Sequence, residues 1–203
     1  MFSKDDLPLL AILRGVKEEN LPPLVEIFIR TGICFLEITM NTPGASGLIQ
    51  KIKLLSKDKI KIGAGTVLNA NDLDEALAAG AEFIVSPSVI EDVINKCITK
   101  KIPVIPGALT PTEVHKAWNM GSAMIKLFPA SSFGPSYIKA LKGPFESIKL
   151  MAVGGVDEHN IGAYISSGAD AIGFGGSILK NVWLKGEQYQ IIEDKITTLV
   201  SAY

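Results

Sequence analysis

The chain holds 203 residues with a formal net charge of −1 and 47% hydrophobic residues. That length supports a substantial core in one domain, 1–203 with a short leading segment 1–7, and the near-zero charge argues against nucleic acid or a membrane surface as partner. No apolar run approaches the roughly 20 residues of a membrane helix, and Met1-Phe2-Ser3-Lys4-Asp5-Asp6 is too polar for a signal peptide, so a soluble cytoplasmic protein is expected.

Leu9-Leu10-Ala11-Ile12-Leu13 is the first apolar run, ending in Arg14-Gly15. Pro22 to Arg30 has helical spacing and Gly32 closes it. Ile33 to Thr39 reads as a strand, Ala45 to about Ser56 as a helix, and Ile60 to Thr66 as a third strand. Asn71 or Asp72 caps the next helix, which Gly80 ends. Glu82 to Val85 is a fourth strand, broken by Ser86-Pro87. A helix through Val93 and Ile94 reaches Lys100-Lys101, and Ile102 to Ile105 is the fifth strand. Thr110 or Thr112 starts a helix that ends at Met120 and Gly121. Ser122 to Phe128 is the sixth strand. A short helix near Tyr137 to Leu141 precedes the seventh, Ile148 to Val153. Asp157 starts a helix that Gly168 ends, Ala169 to Gly173 is the eighth strand, and one last helix runs to the C-terminus.

Eight strands alternating with eight helices imply right-handed crossovers and a parallel sheet, which closes as a (β/α)8 TIM barrel. A doubly wound open sheet is the alternative. Gly32, Gly80, Gly121 and Gly168 recur at nearly regular intervals at helix ends, a weak internal repeat that favours the barrel. Even-numbered helices end instead in lysine-bearing turns such as Lys57-Asp58-Lys59. Cys34 and Cys97 lie in apolar segments outside any Cys-x-x-Cys pair and are expected as buried free thiols. His115 and His159 have no further ligand at metal spacing, so no metal is expected.

In this fold chemistry gathers at the C-terminal ends of the strands. Lys126 sits at the centre of the apolar run Met124-Ile125-Lys126-Leu127-Phe128, where burial disfavours the ammonium. A neutral lysine attacks a carbonyl substrate to form a Schiff base; the alternative is a salt-bridged or snorkelling side chain. Glu37 interrupts Phe35-Leu36-Glu37-Ile38, so it is either half of an internal ion pair or a general acid/base with a pKa raised by burial. Alternation points Glu37 inward with Phe35 and Thr39, and Lys126 inward with Met124 and Phe128. Gly154-Gly155 after strand seven and Gly175-Gly176-Ser177 after strand eight fall where this fold commonly holds phosphate; the alternative is that they only make tight turns. Gly63-Ala64-Gly65-Thr66 could hold a small carboxylate, and Arg14 is the only arginine on the expected active face.

With these motifs in place, the chain resembles the class I aldolases that cleave 2-keto-3-deoxy-6-phosphogluconate (KDPG) and its galactonate epimer. The resemblance rests on Leu9 to Gly15, Leu36-Glu37-Ile38-Thr39, Gly63 to Leu68, Ser86-Pro87, Ile105-Pro106-Gly107, Ile125 to Pro129, Phe133-Gly134-Pro135, Val153 to Val156 and Gly175-Gly176-Ser177. It implies a homotrimer acting on a phosphorylated keto-acid, with no metal and no cofactor. By position it makes Lys126 the Schiff-base lysine and Glu37 the proton-transfer carboxylate. Gly65 and Thr66 resemble the pyruvate-carboxylate site, Pro87 and Phe128 the pocket wall, and Gly154, Gly155, Gly176 and Ser177 the phosphate end. Many gluconate-type members carry an arginine four residues after the glutamate; here that residue is Asn41, and Arg14 is the candidate to replace it. The expected reaction is cleavage of KDPG to pyruvate and glyceraldehyde 3-phosphate, with 4-hydroxy-2-oxoglutarate as a second substrate. The galactonate epimer is the alternative main substrate. A phosphosugar isomerase and a non-catalytic phosphate-binding barrel are the remoter ones.

Overall fold

The computed structural model describes residues 6–203; residues 1–5 of the expected leading segment lie outside the described residues. Eight parallel strands close into a barrel in chain order, β1 to β8, with β8 paired to β1. The strands are β1 Leu9–Leu13, β2 Phe35–Thr39, β3 Lys61–Gly65, β4 Phe83–Ser86, β5 Val104–Ala108, β6 Ile125–Leu127, β7 Leu150–Val153 and β8 Ala171–Phe174. The helices on the outside are α1 Leu21–Thr31, α2 Ala45–Ser56, α3 Ala70–Ala78, α4 Glu91–Thr99, α5 Pro111–Asn119, α6 Pro135–Lys142, α7 Ile161–Ser166, α8 Asn181–Lys185 and α9 Tyr189–Ser201.

Period-2 alternation sorts each strand into two faces. Leu9, Ala11 and Leu13 of β1 and Leu36 and Ile38 of β2 point out and join the large core under the helices. Leu10, Phe35, Phe83, Val85, Ile105, Met124, Met151, Val153 and Ala171 form a separate cluster inside the barrel. The Phe35 and Phe83 rings lie 6.3 Å apart there. Glu37 and Lys126 follow Phe35 and Met124 on the same faces, two residues nearer the C-terminal mouth.

Gly32, Gly80, Gly121 and Gly168 all have left-handed backbone, with φ of 78°, 96°, 92° and 99°, as helix-terminating glycines should. The lysine-bearing turns reach the same region without glycine: φ is 49° at Lys57, 62° at Asp58 and 57° at Lys101. Five expectations are corrected. The cap of α3 is Asn69, whose side chain accepts from the N–H groups of Asn71 and Asp72; Asp72 instead reaches back to the N–H of Leu68. β5 runs on through Pro106 to Ala108, because Pro106 pairs with Ser86 while Gly107 and Ala108 pair with Lys126 and Leu127. α7 begins at Ile161 rather than Asp157, whose carboxylate accepts from the N–H groups of His159 and Asn160 and holds a turn ahead of the helix. The last helix is two, α8 and α9, separated at Gly186-Glu187. Cys97 is buried, but Cys34 is only half-buried, its Sγ 3.8 Å from Asp6 Oδ1. Among the described residues no helix is long and apolar enough to cross a membrane.

Candidate active site

β2 carries Glu37 into the barrel between Ile12 of β1 and Gly63 of β3. The residue is 1% exposed, and neither carboxylate oxygen has a hydrogen-bond partner among the described residues. Burial raises its pKa from the ordinary carboxylate range, against the opposing attraction of Lys126 and Arg14. A carboxyl held this way is ready to keep or pass a proton.

β6 sets Lys126 between Gly107 of β5 and Met151 of β7. It is 6% exposed, and its Nζ lies 5.0 Å from the centre of the Phe128 ring. No hydrogen bond or ion pair engages the ammonium among the described residues, so the internal salt bridge that would make it structural is not formed. Phe128 in turn lies against Gly154: a Cβ there would stand 3.2 Å from its ring.

Arg14, exposed at the end of β1, donates from Nη2 to Thr66 Oγ1 at 3.2 Å. Thr66 has φ of 56°, a left-handed conformation uncommon for a β-branched residue. The turn holding Arg14 is fixed from below. The Gly15 N–H donates to Thr42 Oγ1 at 2.9 Å, and that hydroxyl shares a 3.0 Å hydrogen bond with Thr39 Oγ1, two residues beyond Glu37. Thr39 and Thr42 are both buried.

At the opposite side, Gly154 and Gly155 turn with φ of 95° and 77°. Gly176 is different: it has no positive φ, and a Cβ added there meets nothing within 4 Å. Neither turn geometry nor packing accounts for a glycine at 176, so the tight-turn explanation covers the first pair and not this one. Ser177 Oγ donates to the Val156 carbonyl at 2.6 Å, which ties the two glycine loops together, and Asn160 Nδ2 donates to the Gly155 carbonyl at 2.8 Å within the loop after β7.

A cavity of about 430 Å³ opens between these groups. Arg14, Lys126, Phe128, Gly154, Gly155, Gly176 and Ser177 line it, together with Ile12 and Val153. Glu37, Gly65, Thr66 and Pro87 are outside that lining. A Cβ at Gly65 would stand 2.3 Å from Glu37 Oε1, Thr66 is reached through Arg14, and the Pro87 carbonyl packs over Gly107, the strand neighbour of Lys126. Lys180 and Asn181 also line the cavity and are missing from the sequence reading. Their signal was proximity: Lys180 lies in the loop after β8, three residues past Ser177. Thr42 had no signal, because its role depends on two contacts made through the fold.

The arrangement combines a partnerless buried carboxyl, an unpaired buried amine, an arginine and a glycine-lined end. It suits an elongated anion with a carbonyl at its centre.

The family model for KDPG and KHG aldolases matches residues 4–195. The 2-dehydro-3-deoxy-6-phosphogalactonate aldolase of Escherichia coli (strain K12) is 35% identical over 198 residues, covering 97% of this chain and 95% of that protein. The 2-dehydro-3-deoxy-phosphogluconate aldolase of Pseudomonas aeruginosa is 35% identical over 163 residues, covering 79% of this chain and 71% of that one. Among solved structures, the KDPG aldolase from Legionella pneumophila with pyruvate captured as a covalent carbinolamine superposes with a TM-score of 0.88 at 28% identity, covering 95% of this chain and 94% of that one.

Proposed function

The chain belongs to the KDPG and KHG aldolase family and is an aldolase, a carbon–carbon lyase; from that premise we propose that it is a class I enzyme using Lys126 as its Schiff-base residue. Glu37 carries the reading: a buried carboxyl with no hydrogen-bond partner, its charge felt by Lys126, faces the same interior as that amine.

In this proposal the Lys126 amine attacks the C2 ketone of the substrate. Glu37 supplies and recovers the protons as the carbinolamine loses water to give a protonated imine. The imine is the electron sink. Glu37 takes the C4 hydroxyl proton, the C3–C4 bond breaks, and its electrons become the enamine of pyruvate. Glyceraldehyde 3-phosphate leaves; protonation at C3 and hydrolysis then release pyruvate and free Lys126. Arg14 with Thr66 and the Gly65 backbone orient the carboxylate, Pro87 and Phe128 wall the pocket, and Gly154, Gly155, Gly176 and Ser177 take the phosphate. The covalent pyruvate in the Legionella pneumophila relative supports the imine route. Cleavage of 4-hydroxy-2-oxoglutarate to pyruvate and glyoxylate would use the same imine, and a homotrimer is part of the same proposal.

The preferred epimer is proposed to be 2-dehydro-3-deoxy-6-phosphogalactonate, the alternative rather than the main reading of the sequence. At equal identity, the E. coli galactonate relative matches 97% of this chain and the P. aeruginosa gluconate relative 79%. Asn41 stands where many gluconate-type members carry arginine, and the contact from Arg14 to Thr66 suits Arg14 to the vacated role.

Borohydride reduction in the presence of pyruvate, read by peptide mapping, tests the mechanism. A stable adduct on Lys126 is expected; folded protein without one overturns the imine. The ratio of kcat/KM for the two epimers tests the substrate, with a ratio in favour of the gluconate compound overturning that part.

A further inference from the structure

Three cationic side chains line the cavity among the described residues, Arg14, Lys126 and Lys180, and no carboxylate does. On the proposed reading, the substrate brings one carboxylate and a phosphate of about −1.5 to −2 charge at neutral pH. Arg14 is held at the Thr66 side, and Lys126 is committed to the imine. The glycine loops offer the phosphate only backbone N–H groups, since the Ser177 hydroxyl already donates to the Val156 carbonyl. Lys180 is the remaining cation, and it lies on the same loop as Gly176 and Ser177.

We propose that Lys180 is the cationic partner of the substrate's phosphate, a specificity-determining residue that favours phosphorylated over unphosphorylated substrates. The inference rests on the aldolase reading for its substrate, but on the cavity's own charge pattern for the anion.

The surroundings hold Lys180 for this task. Its neighbours Ile178 and Leu179 are buried, so the backbone at 180 is anchored, while Lys180 itself is exposed and lines the cavity. Its Nζ stands 4.8 Å from the centre of the Trp183 ring and makes no hydrogen bond or ion pair among the described residues. A cation on an aromatic face keeps its donors free for an anion. Trp183 is steadied by Lys195, whose Nζ lies 5.8 Å from the same ring and which is itself bound to Glu158 in the loop after β7. Lys195 is therefore neutralised by a carboxylate and Lys180 is not.

Two measurements on wild type, Lys180→Met and Lys180→Arg decide it. Inorganic phosphate is titrated into each protein and followed by 31P line broadening. Cleavage of 2-dehydro-3-deoxy-6-phosphogalactonate is compared with that of its unphosphorylated counterpart. Loss of a charge-assisted contact should weaken phosphate binding about tenfold or more in Lys180→Met, with a matching fall in the phosphorylated-to-unphosphorylated ratio of kcat/KM. Lys180→Arg should restore both to within a few-fold. Unchanged phosphate binding and an unchanged ratio in folded Lys180→Met overturn the proposal. The borohydride adduct with pyruvate is scored in the same proteins. Its absence from wild type alongside weakened phosphate binding in Lys180→Met would leave the Lys180 assignment standing and remove the aldolase mechanism. Its presence with unaltered phosphate binding would do the reverse.

Discussion

Phe35 and Glu37 point to the same side of one strand, and so do Met124 and Lys126; each pair differs only in depth along the barrel axis. At the lower level Phe35, Phe83, Met124 and Met151 close the interior as an apolar cluster, worth roughly 25 cal/mol for each Å² removed from water. At the upper level the same spacing delivers a carboxyl without partners and an amine without an ion pair, and an unsatisfied buried polar group costs about 1–3 kcal/mol or more. One periodicity thus serves both ends: the lower layer offsets the instability that the upper layer needs for reactivity. The glycines of β3 follow the same division. Gly63 makes room for the Phe83 ring, and Gly65 makes room for the Glu37 carboxyl.

Converting the upper level to the lower one's chemistry should have the largest effect. Lys126→Met puts the side chain of position 124 at position 126. It is expected to fold but to retain less than about a thousandth of the cleavage rate, since the covalent route is gone. A coupled assay for glyceraldehyde 3-phosphate with a parallel melting curve checks this. Cleavage within tenfold of wild type would show that the two levels do not differ in chemistry.

The glycine pair sharpens the comparison. In Gly63→Ala the new Cβ would stand 2.2 Å from Phe83 Cε2, inside a closed cluster with no slack. Overpacking there is expected to cost about 1–3 kcal/mol while kcat changes little. In Gly65→Ala the Cβ would stand 2.3 Å from Glu37 Oε1, and the carboxyl can swing away. The expected result is a smaller stability loss with kcat down about 100-fold, the scale of a misplaced catalytic group. Denaturant melts and steady-state rates on both variants separate the two outcomes; matching profiles would erase the distinction between levels.

The barrel was legible because alternation and helix-ending glycines are local signals. Gly32, Gly80, Gly121 and Gly168 each need only their own φ to mark a boundary. Glu37 and Lys126 were legible for a related reason, as charges inside apolar strands. What was hidden depended on partners distant in sequence or on which of several polar residues won a cap. Asn69 outcompeted Asn71 and Asp72, Pro106 stayed in β5 through its own pairing with Ser86 and that of Gly107 and Ala108 with β6, and Thr42 became an anchor only through Gly15 and Thr39. Lys180 belongs with these, since its place in the cavity depends on how α8 leaves the barrel and where Trp183 lies.

The smallest effect tests whether the upper level is held against its own stability. Burial raises the pKa of Glu37 in the fold, outweighing the attraction of Lys126 and Arg14. Below the ordinary carboxylate range the group is neutral in both folded and unfolded chains and costs nothing by this route. As pH rises through that range the unfolded chain loses its proton first, so the native state loses stability relative to it. The loss stops growing once pH passes the raised native pKa. Glu37→Gln keeps the shape and cannot ionise. Its melting temperature relative to wild type should therefore rise from acid to neutral pH. Paired melts across pH 3 to 8 read the sign directly. A margin that shrinks as pH rises would mean that Lys126 and Arg14 stabilise the ionised carboxylate more than burial penalises it, and the upper level of the barrel would then be a stabilising ion cluster.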